Sequence, residues 1–277
     1  MSRLAAPMTT DPVTFRRVFY IPGFDPVPPR SYRERYRRAA AEQGAISGYS
    51  VTVGPRQGDA RFGWHVEAEI DGQHSAAEVE VLYWADIVRA SMKQGIVGTY
   101  LQLARTAWAY IGSGALFRLM RLRKGPVIAA LYPVVVLLGQ LALAALAGVA
   151  AFALFIWGTE AVLKMIEGPQ FLFQSHFAAR VWFGLLVLGP VTAWLVLRWF
   201  KRRDHLLAWY LMHDYAFSAQ LNGAYPQAQE DRMRDFADRL ADALHGDADE
   251  VLIVGHSSGA YIAVSGAGGP VARGQGA

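Results

Sequence analysis

The sequence predicts an α/β protein, a mostly parallel sheet split in the chain by an inserted two-helix transmembrane hairpin. Three observations predict it. Two short apolar runs, Val18-Phe19-Tyr20-Ile21 and Val251-Leu252-Ile253-Val254, have the composition of parallel strands covered on both faces. An amphipathic helical pattern over 230–244 ends at His245-Gly246-Asp247, just before the second run, as the helix-to-strand half of a βαβ crossover does. Two long uncharged apolar stretches lie between these parts, over 127–157 and 181–197.

Composition bounds the reading. The chain has 277 residues, of which 53% are hydrophobic, a high share for a purely soluble protein. With no cysteine, disulfides, thiolate metal sites and cysteine nucleophiles are excluded. The net charge is only +4, and the basic residues gather around the apolar stretches instead of forming a continuous stripe. That distribution suits anionic lipid headgroups and argues against nucleic acid.

In chain order, residues 1–12 are expected to be a flexible lead, and 13–90 to form the first part of the sheet domain. The first strand, Arg16 to Ile21, runs into Pro22-Gly23-Phe24-Asp25-Pro26, where Gly23 lets backbone approach closely. A helix over 29–43 follows, with Tyr32, Tyr36, Ala39 and Ala40 on one face and Gly44 as its stop. Its arginines read as a solvated or headgroup-facing surface, with a substrate clamp as the alternative. Strands are predicted over 49–53, 63–70 and 77–84, the last two joined by a hairpin turn at Asp71-Gly72. Asp86, just beyond, is either a polar group near a site or an acid at a helix N-terminus.

Residues 91–225 are read as a helical membrane insertion. Its lead, 86–123, is helical but broken by Gly95, Gly98, Gly112 and Gly114, and its interleaved aromatics and arginines fit a segment along a membrane surface. The spans are placed near 127–157 and 181–200, with a buried core helix pair as the plainer reading. Arg118, Arg121, Arg123 and Lys124 precede the first span and Arg198, Lys201, Arg202 and Arg203 follow the second. Both ends should therefore face the cytoplasm, in the inner or plasma membrane of a bacterium. A further helix is predicted over 205–221.

The remaining segment, 226–265, carries the chemistry. Strand 251–254 enters Gly255-His256-Ser257-Ser258-Gly259, a Gly-x-Ser-x-Gly pattern in a strand-to-helix setting, with Ala260 to Val264 able to continue as helix. A serine on such an elbow is exposed for attack on a carbonyl. The plainer reading is a Gly/Ser turn after a core strand. Residues 266–277 are rich in glycine and are expected to end the helix early and be disordered.

The strand ending in Ile21-Pro22-Gly23-Phe24-Asp25 and the strand entering Gly255-His256-Ser257-Ser258-Gly259 together resemble the central part of the α/β-hydrolase fold, over roughly 15–85 and 228–265. The resemblance implies an incomplete α/β-hydrolase-like sheet in which Ser257 is the nucleophile of an esterase, lipase or thioesterase. The backbone N–H groups of Phe24 and Ser258 would be its oxyanion-hole donors, with Gly23 shaping the loop. The implied partners are the lipid bilayer and an apolar acyl ester or thioester, and no cofactor or metal is called for. The chain departs from the family in two ways. The membrane insertion comes before the elbow, whereas the family's lid usually comes after it. No Asp, Glu or His follows Ser257, where the family places its acid and base. His205 and His213 read as surface or interfacial residues and His256 as a packing residue. The chain is thus expected to be impaired as an enzyme, and a non-catalytic membrane protein is the alternative.

Overall fold

The computed structural model describes residues 13–56, 62–167 and 177–273. Residues 1–12, 57–61, 168–176 and 274–277 lie outside them. The chain divides into two compact units, one made of 1–91 with 225–277 and the other of 92–224.

The first unit holds a five-stranded sheet in the order β2-β3-β4-β1-β5. Its strands are β1 (Phe15–Ile21), β2 (Ser50–Pro55), β3 (Gly63–Ile70), β4 (Gln73–Val81) and β5 (Glu250–Gly255). β1 pairs in parallel with β4 and β5, whereas β2–β3 and β3–β4 are antiparallel. The sheet is therefore mixed, not mostly parallel. The cause is local: two-residue and short connections join only antiparallel neighbours. Asp71 and Gly72, both at positive φ (52° and 73°), make the tight β3–β4 turn. β4 begins at Gln73, four residues ahead of the expected start, because that turn lets pairing begin at once.

Helix α1 (Pro29–Ser47) covers one face of the sheet, where Tyr32 joins Trp64, Val66, Val79 and Val81 in a buried cluster. It does not stop at Gly44. Gly48, at φ 75°, is its left-handed cap, and Gly44 is needed for a close approach, since a Cβ there would lie 2.7 Å from the Tyr49 carbonyl oxygen. Helices α10 (Gln227–Leu244) and α11 (Ser258–Arg273) follow the second unit in the chain, with α10 burying Met233, Phe236 and Leu240. α11 runs on past Gly266, where glycine content predicts an earlier end; propensity is a weak determinant once a helix is started.

Side chains alternate along a strand, so while Val79 and Val81 of β4 face α1, Glu78 and Glu80 face the other way. Both glutamates are buried, at 6% and 4% exposure. Arg56 and Arg239 each place a nitrogen 3.0 Å from Glu80, and Arg17 sits at 3.9 Å. Glu78 meets His65 at 2.7 Å and Arg56 at 3.7 Å. Three guanidiniums thus surround two buried carboxylates, and the His65 imidazole hydrogen-bonds one of them. At the far end of the sheet, Asp249 accepts hydrogen bonds from Thr14 and from the Phe15 amide, which holds its carboxyl below the usual range and pins the start of β1 beside β5.

The second unit is helical. α3 (Ile96–Gly112), α4 (Ala115–Leu122) and α5 (Lys124–Ala130) lead to α6 (Tyr132–Glu167); α7 (Phe177–Phe183), a π-helical turn (Gly184–Leu188) and α8 (Gly189–Arg203) then form one long helix, followed by α9 (Ala208–Ala219). Of the glycines expected to break the lead, Gly95 and Gly114 do, while Gly98 and Gly112 lie inside α3. The first long helix starts at Tyr132, not near 127, because Pro133 has no N–H to continue the hydrogen bonding of α5. The second is longer than its apolar run, since its ends carry polar and aromatic residues.

Two helices are long and apolar enough to cross a membrane: Tyr132–Ile166, 35 residues with mean hydropathy 2.3, and Phe177–Arg203, 27 residues with mean hydropathy 1.7. Their apolar side chains largely point outward, as at Leu146, Leu154 and Leu186, each about two-thirds exposed, which a soluble core helix would not leave uncovered. The two cross closely, for a Cβ on Gly148 would lie 2.7 Å from the Gly189 carbonyl oxygen. The π turn just before Pro190 accommodates its missing donor, with the Gly189 amide reaching back to the Gly184 carbonyl.

α3 and α9 pack beside the start of α6 and the end of α8. Trp209 donates from its indole nitrogen to the buried Gln140 at 2.9 Å, Tyr100 donates to the Leu137 carbonyl at 3.0 Å, and the two rings meet edge to face at 5.7 Å. Buried His213 of α9 lies 3.1 Å from Gln102, and burial, helped by the charge of Lys201, pushes its pKa down to about 4. An unfolded histidine binds its proton near pH 6.5, so between that pH and about 4 the unfolded chain holds the extra proton. This unit is expected to lose stability as pH falls through that window, and His213→Gln to flatten the loss, as read by thermal unfolding in detergent at pH 7 and pH 4.5.

Candidate functional site

The site forms where β1 and β5 end side by side. β1 and β5 are paired up to Ile21 and Gly255, and the His256 amide donates to the Ile21 carbonyl at 3.0 Å, carrying the ladder one residue further. The chain then reverses at Ser257, whose φ is +53°, and α11 begins at Ser258. A non-glycine residue in the left-handed region costs about 1–2 kcal/mol, so the neighbours must enforce it. They do so by lacking side chains. A Cβ at Gly255 would lie 2.6 Å from the Ala260 Cα, and one at Gly259 would lie 2.3 Å from the Ile21 carbonyl oxygen. Both glycines of the Gly-x-Ser-x-Gly pattern are thus required by contacts across the turn.

Gly23 faces the same turn from β1. A Cβ there would lie 3.0 Å from the Ser257 Cβ and 3.0 Å from the His256 carbonyl oxygen, so the backbone after β1 lies directly against the serine. The loop is held from behind. Trp84, itself 1% exposed, donates from its indole to the Pro22 carbonyl at 2.8 Å, and its ring meets Phe24 edge to face at 6.1 Å. Asp25 turns the chain, its amide reaching the Gly23 carbonyl at 2.7 Å and its carboxylate receiving the Val27 amide at 3.2 Å. Ser257 is exposed, while Phe24 and Ser258 are buried. The start of α11 turns the positive end of its helix dipole towards the serine.

The structure therefore brings Gly23, Phe24, Ser257 and Ser258 together. It does not bring a histidine from elsewhere in the unit. His65 lies on β3, three strand spacings or about 14 Å from β5, engaged with Glu78. His74 stands at the β3–β4 hairpin, the opposite end of the sheet, and His245 bonds the Ala241 carbonyl at the end of α10. His256 packs over Gly23. Asp86 lies in the first turn of α2 (Ala85–Ser91) and is paired with Arg232 at 2.8 Å. Burial raises its pKa, but the hydrogen bonds and charge of Arg232 outweigh that and hold it below the usual carboxylate range. His205 is exposed and His213 buried, both in the other unit, and His176 lies outside the described residues. Among the described residues no group of three or more His, Asp or Glu is placed to hold a metal ion.

Beside the turn, on the α1 face, the sheet leaves a groove of about 870 Å³ lined by Tyr20, Tyr36, Trp64, Val79, Val254 and His256 among others. Leu252 and Val254 of the edge strand β5 are 43% and 38% exposed along it. Sequence reasoning missed Trp84 as the anchor of the loop; its only sequence signal is an aromatic residue directly after a core strand.

No protein-family model matches the chain, and no curated protein or solved structure matches it.

Proposed function

We propose that this chain is a membrane-tethered serine hydrolase of the α/β-hydrolase type, in which Ser257 attacks the carbonyl of an apolar acyl ester or thioester. The observation that carries the reading is the left-handed Ser257, held between Gly255 and Gly259 and pressed against Gly23. A sharp strand-to-helix turn lifts a serine hydroxyl clear of the sheet, the use this backbone strain has in nucleophile elbows. In the proposed reaction the Ser257 oxygen adds to the carbonyl, and the N–H groups of Phe24 and Ser258 receive the oxyanion. Collapse of the adduct expels the alcohol or thiol, which leaves with the serine's proton, and water then hydrolyses the acyl-serine to the free acid and Ser257. The apolar groove next to His256 fits a substrate with an apolar chain. The two long helices supply the tether, with Arg123 and Lys124 before them and Arg202 and Arg203 after them on the cytoplasmic side.

The placement of the histidines favours a second reading, a non-catalytic membrane protein built on this fold. The described histidines of its unit, His256 apart, are engaged or distant. A serine without its base loses several orders of magnitude in rate. Acylation of an activated ester needs the base least, so p-nitrophenyl esters separate the two readings. The enzyme reading expects a burst of about one equivalent of nitrophenol per chain followed by slow turnover, both absent in Ser257→Ala. No burst from the folded wild type supports the non-catalytic reading.

Trp84 supplies a second check. Trp84→Phe keeps the ring against Phe24 but leaves the Pro22 carbonyl without its 2.8 Å donor. The burst is expected to slow by about an order of magnitude through misplacement of the loop, with thermal unfolding lowered by only about 1–3 kcal/mol.

A further inference from the structure

The apolar side of helix α4 is largely uncovered by the rest of the described protein. Phe117, Leu119, Met120 and Leu122 are 62%, 46%, 36% and 79% exposed, and none of its residues is buried. At 100° per residue, Leu116, Phe117, Leu119, Met120 and Leu122 cover one broad side, and Arg118 and Arg121, one turn apart, form the other. Its neighbours carry charge of one sign. Arg123 and Lys124 follow it directly, and from Ile87 to Thr159 the sequence has no Asp or Glu. A soluble surface mixes both signs; an unbroken cationic stretch beside a bare apolar face matches an anionic lipid surface.

A second observation fixes which end of the hairpin this belongs to. Tyr132, the first residue of α6, donates to the Leu206 carbonyl at 2.9 Å, just past the end of α8. The Arg123-Lys124 approach to the first span and the exposed Arg202-Arg203 exit of the second therefore lie at the same end of the helix pair. The ring of Trp199 lies there as well, with Arg203 over it at 5.3 Å, an interfacial arrangement.

We infer that α4 is an in-plane membrane anchor, its Phe117–Met120 side sunk among acyl chains and Arg118, Arg121, Arg123 and Lys124 on the headgroups of anionic phospholipid. This rests on the reading of α6 and α8 as spans. α4 holds the segment before the hairpin flat on the bilayer, so the stretch from α3 to α6 runs along the surface before it turns in.

The chain has no cysteine, so single-cysteine variants of the full chain can be spin-labelled at one site each. Labels at Phe117→Cys, Met120→Cys and the flanking Arg118→Cys are compared in vesicles of phosphatidylcholine with phosphatidylglycerol, using oxygen and a water-soluble nickel complex as relaxants. Labels at 117 and 120 are expected about 5–10 Å below the headgroups, and the label at 118 in water. Adding Arg121→Gln and Arg123→Gln to the 117 variant is expected to raise its nickel access severalfold. Nickel access at 117 and 120 equal to that at 118 overturns the inference, as does shielding from both relaxants, which means protein covers the face. Unchanged access in the arginine variant overturns the anionic-lipid part. Labels at Leu146→Cys and Val191→Cys test the spans themselves: if these are wet, the tether reading fails, and if they are deep while 117 is wet, only the in-plane anchor fails.

Discussion

Gly259→Val is expected to dismantle the turn that carries Ser257. Even a single Cβ at this position would lie 2.3 Å from the Ile21 carbonyl oxygen and 2.6 Å from that of Pro22, both backbone atoms of the loop that approaches the serine. Neither can retreat cheaply. Ile21 is paired to β5 through the His256 amide, and Pro22 is held by the Trp84 indole. The branched side chain must push α11 away from β1 or break that pairing, at a cost of about 3 kcal/mol or more. Ser257 then loses its forced left-handed backbone, and its reaction with acyl or phosphonate reagents is expected to fall to the level of Ser257→Ala. Gly54→Ala is the matched control, because nothing lies within 4 Å of its added methyl. Thermal unfolding of the detergent-solubilised variants, with labelling alongside, separates the two.

Glu80→Ala is expected to give the largest loss of stability in the sheet unit. It removes a 4% exposed carboxylate and leaves Arg56, Arg239 and Arg17 facing one another without it. Breaking a buried ion pair from one side costs about 3–5 kcal/mol, mostly the penalty of the charges left behind. Asp235 also pairs with Arg239, at 2.9 Å, but is about half exposed. Asp235→Ala is accordingly expected to cost at most about 1 kcal/mol. Urea unfolding followed by near-UV circular dichroism measures both.

The parts of the fold legible in the sequence were those set by short-range pattern. β1, β5, α10 and the Asp71-Gly72 turn follow from runs of β-branched residues, a helical period and a turn dipeptide, and the structure places them within a few residues of the expected bounds. The Gly-x-Ser-x-Gly segment was legible for the same reason, whereas Gly23 beside it was expected only from the resemblance to the α/β-hydrolase fold. What sequence could not show depends on contacts far along the chain. Gly44 looked like a helix stop, but its partner is Tyr49 and the stop is Gly48. The burial of Glu78 and Glu80 has no signal in β4 itself, because Arg17 of β1, Arg56 just after β2 and Arg239 of α10 converge on them. The antiparallel half of the sheet is visible in the sequence only at the Asp71-Gly72 turn, since a hairpin joins antiparallel neighbours. Trp84 reveals its role only once β4 lies beside β1.

The strain at Ser257 and the close approach of the loop after β1 have a common origin. Three glycines, at 23, 255 and 259, let β1, β5 and α11 approach more closely than side chains permit, and the serine occupies the position that remains. That crowding requires no base, so the turn can persist whether or not proton transfer is supplied. A strained serine turn and a working turnover cycle are therefore separate properties, and the glycines supply the first.

The most direct test is to treat the folded, detergent-solubilised 277-residue chain with a fluorophosphonate and map the adduct by peptide mass spectrometry. The account predicts a single modified residue, Ser257, with no adduct in Ser257→Ala or Gly259→Val and a normal one in Gly54→Ala. Absence of any adduct on the folded wild type, or an adduct at another serine that survives Ser257→Ala, would contradict it.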